Sequence, residues 1–343
     1  MHPPSAFLLI MVAAGVAGVR GLPPAAGTPA AEFWEKALPG TPMPDAIADL
    51  VQKGIDYSPL KANHIIGLLP LVPLAPLAAI PITIATGVAE KLIPDAIEHA
   101  FEKHHNKHSA PPPPRGKPAS SQKAVEKTVM TLTLPSATVP AILPRHAAEK
   151  APFTNLTDVL ATFHIAPGSA DAALVEKTLL ECQAPPVAGE QKACATSLEG
   201  TVQAAARMLR GASTAAAGDR TMWAAASAIP RGGLPRQEYV VTAVAELDGD
   251  RHVRCHAEPF PYAVFECHMA RRSSVTRAYM ITLSSLHEGS SVTVAMVMLC
   301  HLDTSYRNPE QLAFETPHTK PGGEPVCQFM PYANLVFGEK ATS

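Results

Sequence analysis

Hydrophobic positions recur along this chain with a helical period first and a strand period later. Near the start, Glu32-Phe33-Trp34-Glu35 to Leu38 reads as a helical turn and Pro39-Gly40-Thr41-Pro42 as a bend. A second helix follows: Pro44 suits a first helical position, Ile47, Leu50 and Val51 share a face, and Gly54 suits the C-terminal cap. The pair reads as a small packing module apart from the core. Further on, Leu156, Val159, Leu160 and Phe163 line one helical face, and Ala172 to Cys182 form another helix after the cap candidate Ser169. Thr196-Ser197-Leu198-Glu199 has the form of a capping box before a third helix that Gly211 can end. Beyond Tyr239 the period becomes two, over Tyr239 to Leu247, Tyr262 to His268, Ala278 to Leu283 and Val292 to His301. Helices followed by strands predict an α+β domain with an antiparallel sheet, preceded by a mostly irregular N-terminal arm.

The arm itself has two distinctive stretches. Ile65 to Ala89 carries no formal charge over 25 residues, long enough to cross a bilayer if helical. Pro70, Pro73, Pro76 and Pro81 interrupt it, which favours an extended polyproline-like arm or an interfacial segment over a membrane span. Pro94 to His108 then reads as an amphipathic helix with Ile93, Ile97 and Phe101 on one face, ended by Pro111 to Pro114. His104 and His108 sit one turn apart, a spacing that permits metal capture; the helix dipole alone also favours histidine at a C-terminus.

Charge and cysteine usage narrow the compartment. A net charge of −2, with no lysine/arginine block, argues against nucleic-acid binding. Residues 1–21 read as a secretory signal: a short polar start, an apolar stretch from Ala6 to Val19, then small residues at Ala17, Gly18 and Gly21. Secretion implies an oxidising environment, so Cys182, Cys194, Cys255, Cys267, Cys300 and Cys327 read as a disulfide framework before a thiolate metal site. Six cysteines allow fifteen connectivities, and Cys182 with Cys194, closing a short loop across Pro185-Pro186, is the favoured pair. Each bridge of this kind contributes about 2–4 kcal/mol. Asn155-Leu156-Thr157 is then a usable N-glycosylation sequon at Asn155.

Three dipeptides, Cys255-His256, Cys267-His268 and Cys300-His301, precede Cys327-Gln328, with 10, 31 and 25 residues between them. In a strand, neighbouring side chains point to opposite faces, so each dipeptide sends its sulfur one way and its imidazole the other. From Val292 on, Val294, Met296 and Met298 share a face with Cys300, while His301 falls with Val297 and Leu299. A disulfide layer and a separate histidine cluster can thus coexist. The spacing resembles the four-fold Cys-His pattern of the BURP domain family of plant proteins, with a longer second gap and Gln328 where the fourth histidine stands. Thr178 to Cys182, Gly189 to Glu199, Pro261-Tyr262-Ala263-Val264, Arg277-Ala278-Tyr279 and Asp303-Thr304-Ser305 to Pro309 carry the resemblance over about residues 123–338. Within the family, Val159 to Phe163 and Lys320-Pro321-Gly322-Gly323 to Met330-Pro331-Tyr332 are most similar to the RAFTIN-type anther proteins of cereals.

The resulting division is a signal over 1–21, a short opening segment over 22–60, an apolar proline-rich arm over 61–122 and a BURP domain over 123–340. The resemblance implies a secreted protein of the plant cell wall or extracellular matrix, acting in anther or pollen development or in stress response. Some family members are copper-dependent cyclases that crosslink tyrosine or tryptophan side chains of peptides. By that resemblance His256, His268 and His301 are candidate copper ligands; their other reading is structural histidines hydrogen-bonded near a disulfide core. Gln328 exchanges a strong nitrogen ligand for a weak amide oxygen, and residues 22–122 offer only Trp34 and Tyr57 as rings to modify, in no repeat. Both points weigh toward a non-enzymatic protein whose partner is a wall or matrix polymer, with a cyclase acting on another peptide as the alternative.

Overall fold

The computed structural model describes residues 27–56, 128–187, 189–211, 220–270, 276–287, 289, 291–302, 304–305, 322 and 326–341. The expected signal, the run Ile65 to Ala89, the helix from Pro94 and its His104 and His108 lie outside these residues. The chain begins with helices α1 (Pro29–Ala37) and α2 (Asp45–Asp56), then strand β1 (Val129–Leu134). Next come α3 (Arg145–Ala148), α4 (Leu156–Thr162), α5 (Ala170–Gln183), β2 (Gln191–Ala195) and α6 (Leu198–Arg210). Strands complete it: β3 (Arg220–Ala225), β4 (Leu234–Leu247), β5 (Val253–Glu258), β6 (Val264–Met269), β7 (Thr276–Ser285), β8 (Thr293–His301), β9 (Val326–Phe329) and β10 (Leu335–Ala341).

The fold is α+β, and its antiparallel strands form two five-stranded sheets in place of the single sheet expected. One has the order β1-β4-β7-β8-β9, the other β2-β6-β5-β10-β3. Nor do the strands wait for the helices. β1 precedes α3, and its alternation of Met130, Leu132 and Leu134 inward places it at the edge beside β4. β2 lies between α5 and α6 and pairs with β6.

Helix ends follow local chemistry. The Ser169 hydroxyl accepts from Ala172 N at 3.1 Å to start α5, and Gly211, at φ 63°, ends α6. The cap of α6 is Ser197, accepting from Gly200 N at 3.1 Å, so Thr196 and Glu199 do not form the expected reciprocal box. Glu199 instead lies in the first turn, where a negative charge suits the helix dipole.

One large core takes Cys255, Phe265, Cys267, Leu335 and Phe337 from the second sheet and Tyr239, Leu283, Met298, Cys300 and Phe329 from the first. α6 packs on β2, β5, β6 and β10, and α1 packs on α6. The opening helices are therefore part of this core and not a separate module: Trp34, Leu38, Ile47 and Leu50 are fully buried in it. The Trp34 indole donates to Thr41 O at 2.8 Å, which fixes the bend between the two helices. α3, α4 and α5 gather a second cluster around Phe260, Tyr262 and Val264 at the β5–β6 connection. A third, of Trp223, Ala278, Val297, Leu299, Met330 and Val336, draws on both sheets and marks where they meet.

Gly54 lies within α2 and does not cap it. A Cβ there would stand 1.7 Å from the Ile142 carbonyl oxygen, on the segment whose Ile142 N donates to Leu50 O at 3.0 Å. Alanine favours helix over glycine by about 1 kcal/mol, but a backbone overlap of this size cannot be relieved by a rotamer change. We expect Gly54→Ala to lower unfolding free energy by about 1–3 kcal/mol in chemical denaturation.

His252 is buried, its Nε2 3.2 Å from Asp248 O and its Nδ1 2.8 Å from Thr276 Oγ1, with the Trp223 ring 5.6 Å away. Burial holds its pKa down to about 4. Unfolding frees the ring to bind a proton at its ordinary value, so the unfolded chain binds more protons between pH 4 and pH 6.5. His252 therefore contributes stability that is complete above about pH 6.5 and is lost as the pH falls toward 4. We expect the drop in unfolding free energy from pH 7 to pH 4.5 to shrink by on the order of 2 kcal/mol in His252→Gln. An unchanged pH profile would contradict this.

Candidate functional site

Pairing places the cysteines. β5 and β6 are antiparallel, and their register sets Cys255 directly opposite Cys267, with Cα atoms 4.0 Å apart and a disulfide between them. On the other sheet β8 and β9 set Cys300 opposite Cys327, Cα to Cα 3.9 Å, again bridged. Such separations are those of the closer, non-hydrogen-bonded kind of antiparallel pair. The favoured pair, Cys182 with Cys194, joins the end of α5 to β2 across 5.6 Å. No cysteine remains free. Cys255, Cys267 and Cys300 are fully buried in the large core, beside Met296 and Met298 as the alternation predicts.

The reverse faces carry the polar half of the pattern. Arg254 and His256 on β5 stand opposite His268 and Glu266 on β6, and His301 and Gln328 come from β8 and β9 of the first sheet. The Arg254 side chain crosses between the sheets. Its Nε donates to His268 Nε2 at 2.9 Å, and its Nη1 donates to His301 Nε2 at 3.0 Å. Both imidazole nitrogens must be the acceptors, because a guanidinium has only donors. Nη1 also reaches Gln328 Oε1 at 3.5 Å. The His256 ring lies beside that of His268, with centroids 5.1 Å apart and planes tilted by 44°.

His256 has its own partner. Asn334 Oδ1 accepts from Ala257 N at 3.1 Å, which fixes the amide so that its Nδ2 donates to His256 Nδ1 at 2.9 Å. Burial, aided by the charge of Arg254, holds the His256 pKa down to about 3, so the ring is neutral and its proton sits on Nε2.

The structure brings His256, His268, His301 and Gln328 together in one place. Two contributors were not anticipated. Arg254 shares a strand face with His256 by the same period of two and was legible on that ground. Asn334 lies far along the chain and carried no signal.

The arrangement does not fit a copper ion. A neutral imidazole has one lone pair, and all three are engaged by N–H donors: Asn334 for His256, Arg254 for His268 and His301. The space between the ligand nitrogens is filled by a group that stays cationic at any physiological pH, and two cations cannot share it.

Carboxylate oxygens of Glu181, Glu258 and Glu266 lie within 4.8 Å of one another, and Glu258 and Glu266 share the strand face of His256 and His268. Burial first, then the neighbouring carboxylates, pushes Glu258 up to about 7, and burial also raises Glu266. Asn155 is exposed at the start of α4, where its Oδ1 accepts from Asp158 N at 3.2 Å. No helix among the described residues is long and apolar enough to cross a membrane.

Comparison with known proteins identifies the family. The BURP domain model matches residues 121–339. BURP domain-containing protein 13 of Oryza sativa subsp. japonica is 44% identical over 216 residues, 61% of this chain and 49% of that protein. Protein RAFTIN 1A of Triticum aestivum is 43% identical over 200 residues, 57% of this chain and 48% of that protein. BURP domain-containing protein 5 of the same rice is 34% identical over 305 residues, 87% of this chain and 83% of that protein. The chain spans about half the length of the first two of these relatives. The matched region includes every cysteine and imidazole of the cluster, and the chain belongs to the BURP domain family of plant proteins.

Proposed function

We propose that the protein is a non-enzymatic component of the plant cell wall or of a secreted matrix, in which the disulfide-bridged domain is the folded anchor. The observation that carries this reading is the filled imidazole cluster: its lone pairs hold the fold together through Arg254 and Asn334 and leave no open ligand position. Three disulfides suit an oxidising location. The similarity to Protein RAFTIN 1A supports a setting in anther or pollen development, and that to BURP domain protein RD22 of Arabidopsis thaliana, 36% identical over 202 residues, keeps stress response beside it. The contact surface for wall or matrix polymer is assigned to the apolar, proline-rich stretch Ile65 to Ala89.

Fractionation tests the location. We expect the native protein to be recovered with wall or pollen-coat material from anthers, independent of added copper. Recovery as a soluble protein that crosslinks tyrosine or tryptophan peptides only when copper is supplied would overturn the reading in favour of a cyclase.

Passage through the secretory pathway also predicts a glycan on Asn155, which the exposure of the sequon allows. Enzymatic deglycosylation should reduce the apparent mass by one glycan. Thr157→Ala should abolish that shift while sparing the Asn155 cap on α4. A protein purified from plant tissue with no glycan at this position would contradict it.

A further inference from the structure

We propose that Arg254 is the resident cation of the imidazole cluster. Its guanidinium stands where a metal ion would, so the four-position pattern works in this chain as a metal-free lock between the two sheets. The same donors become a divalent-metal site only when that guanidinium is removed. This shares its geometry with the matrix reading, but its test reads metal stoichiometry and that one reads location.

Three features lead here. First, one side chain from β5 of the second sheet bonds His301 on β8 of the first sheet, and at the same time bonds His268 on its own. The planar fork of arginine holds its Nε and Nη1 protons in fixed, divergent directions, so a single group can serve two acceptors that a lysine ammonium would not orient. Second, the fourth position supplies an oxygen. Gln328 Oε1 lies 3.5 Å from the same Nη1 and can only accept from it, where a fourth ring would have offered a lone pair in one tautomer and a proton in the other. Third, the tautomers are complementary. His268 and His301 accept at Nε2, whereas His256 accepts at Nδ1 from Asn334, an amide fixed in turn by Ala257 N.

Removing the guanidinium leaves two imidazole lone pairs and an amide oxygen aimed at one small space. Imidazole nitrogens bind zinc at about 2.0–2.1 Å, closer than they lie to the guanidinium, so modest side-chain movement lets both reach a single ion. The ligand class is a borderline divalent ion such as zinc, cobalt or copper.

The test uses the full oxidised chain and zinc or cobalt alone as the probe. Bound equivalents are measured after exhaustive dialysis for wild type, Arg254→Ala, His268→Ala/His301→Ala and the triple variant. The wild type and the histidine double variant should carry the same number of equivalents, because any ions they hold sit on other histidines. Arg254→Ala should gain one equivalent, and the triple variant should lose it again. A wild type that carries one equivalent more than the double variant overturns the proposal, as does an Arg254→Ala that folds and gains none. Near-ultraviolet circular dichroism and disulfide mapping report whether each variant is folded. Should the variants fail to fold, nitrogen-15 NMR of the wild-type rings decides. The proton is expected on Nδ1 of His268 and His301 and on Nε2 of His256, and the opposite tautomer at His268 or His301 overturns the lock.

Discussion

The pleat of the β-strand is the constraint on which the site depends. Adjacent side chains cannot both enter the same layer, so a cysteine followed by a histidine must divide between two environments. Once Cys255 and Cys267 are opposed in the large core, Arg254, His256, Glu266 and His268 are committed to the other face. The same holds for Cys300 and Cys327, which commit His301 and Gln328. Two hairpin-like pairs in two sheets thereby turn their polar faces toward each other, and a single arginine suffices to join them.

The energetic logic of that junction lies in desolvation. Withdrawing a guanidinium from water costs several kcal/mol unless its donors are met, and a neutral imidazole with an unmet lone pair carries a smaller cost of the same kind. Combining them offsets both. His301 is 4% exposed and could not be left without a donor at such depth. The apolar cluster of Leu299, Val297, Ala278 and Val336 beside it excludes water and so strengthens the bonds that remain.

Much of this could be read along the chain, and the part that could not has a common cause. The division of Val292 to His301 into a sulfur face and a histidine face needed only the period of two, and the helix from Ala172 needed only its cap at Ser169. The bridge from Cys182 to Cys194 is local, and local closure made it legible. β9 is four residues long and carries no alternation to detect, so the partner strand of Cys300 was hidden. That β5 and β8 belong to different sheets is a fact of topology, which no local period encodes, and the meeting of Arg254 with His301 follows from it. Gly54 misled for a related reason: a glycine near the end of an apolar repeat has the signature of a cap, and only the approach of the Ile142 carbonyl reveals its purpose.

The burial of α1 and α2 has a consequence for the stretch that follows them. α2 ends at Asp56 and β1 begins at Val129, and both elements belong to one core. The two parts of the chain that flank residues 57–127 are therefore anchored in the same folded body. What holds the opening helices to the domain is the packing of Trp34 and Leu50, not only the continuity of the chain between Asp56 and Val129. Fragments beginning near residue 121, by contrast, expose the apolar surface that those helices cover and should be prone to self-association.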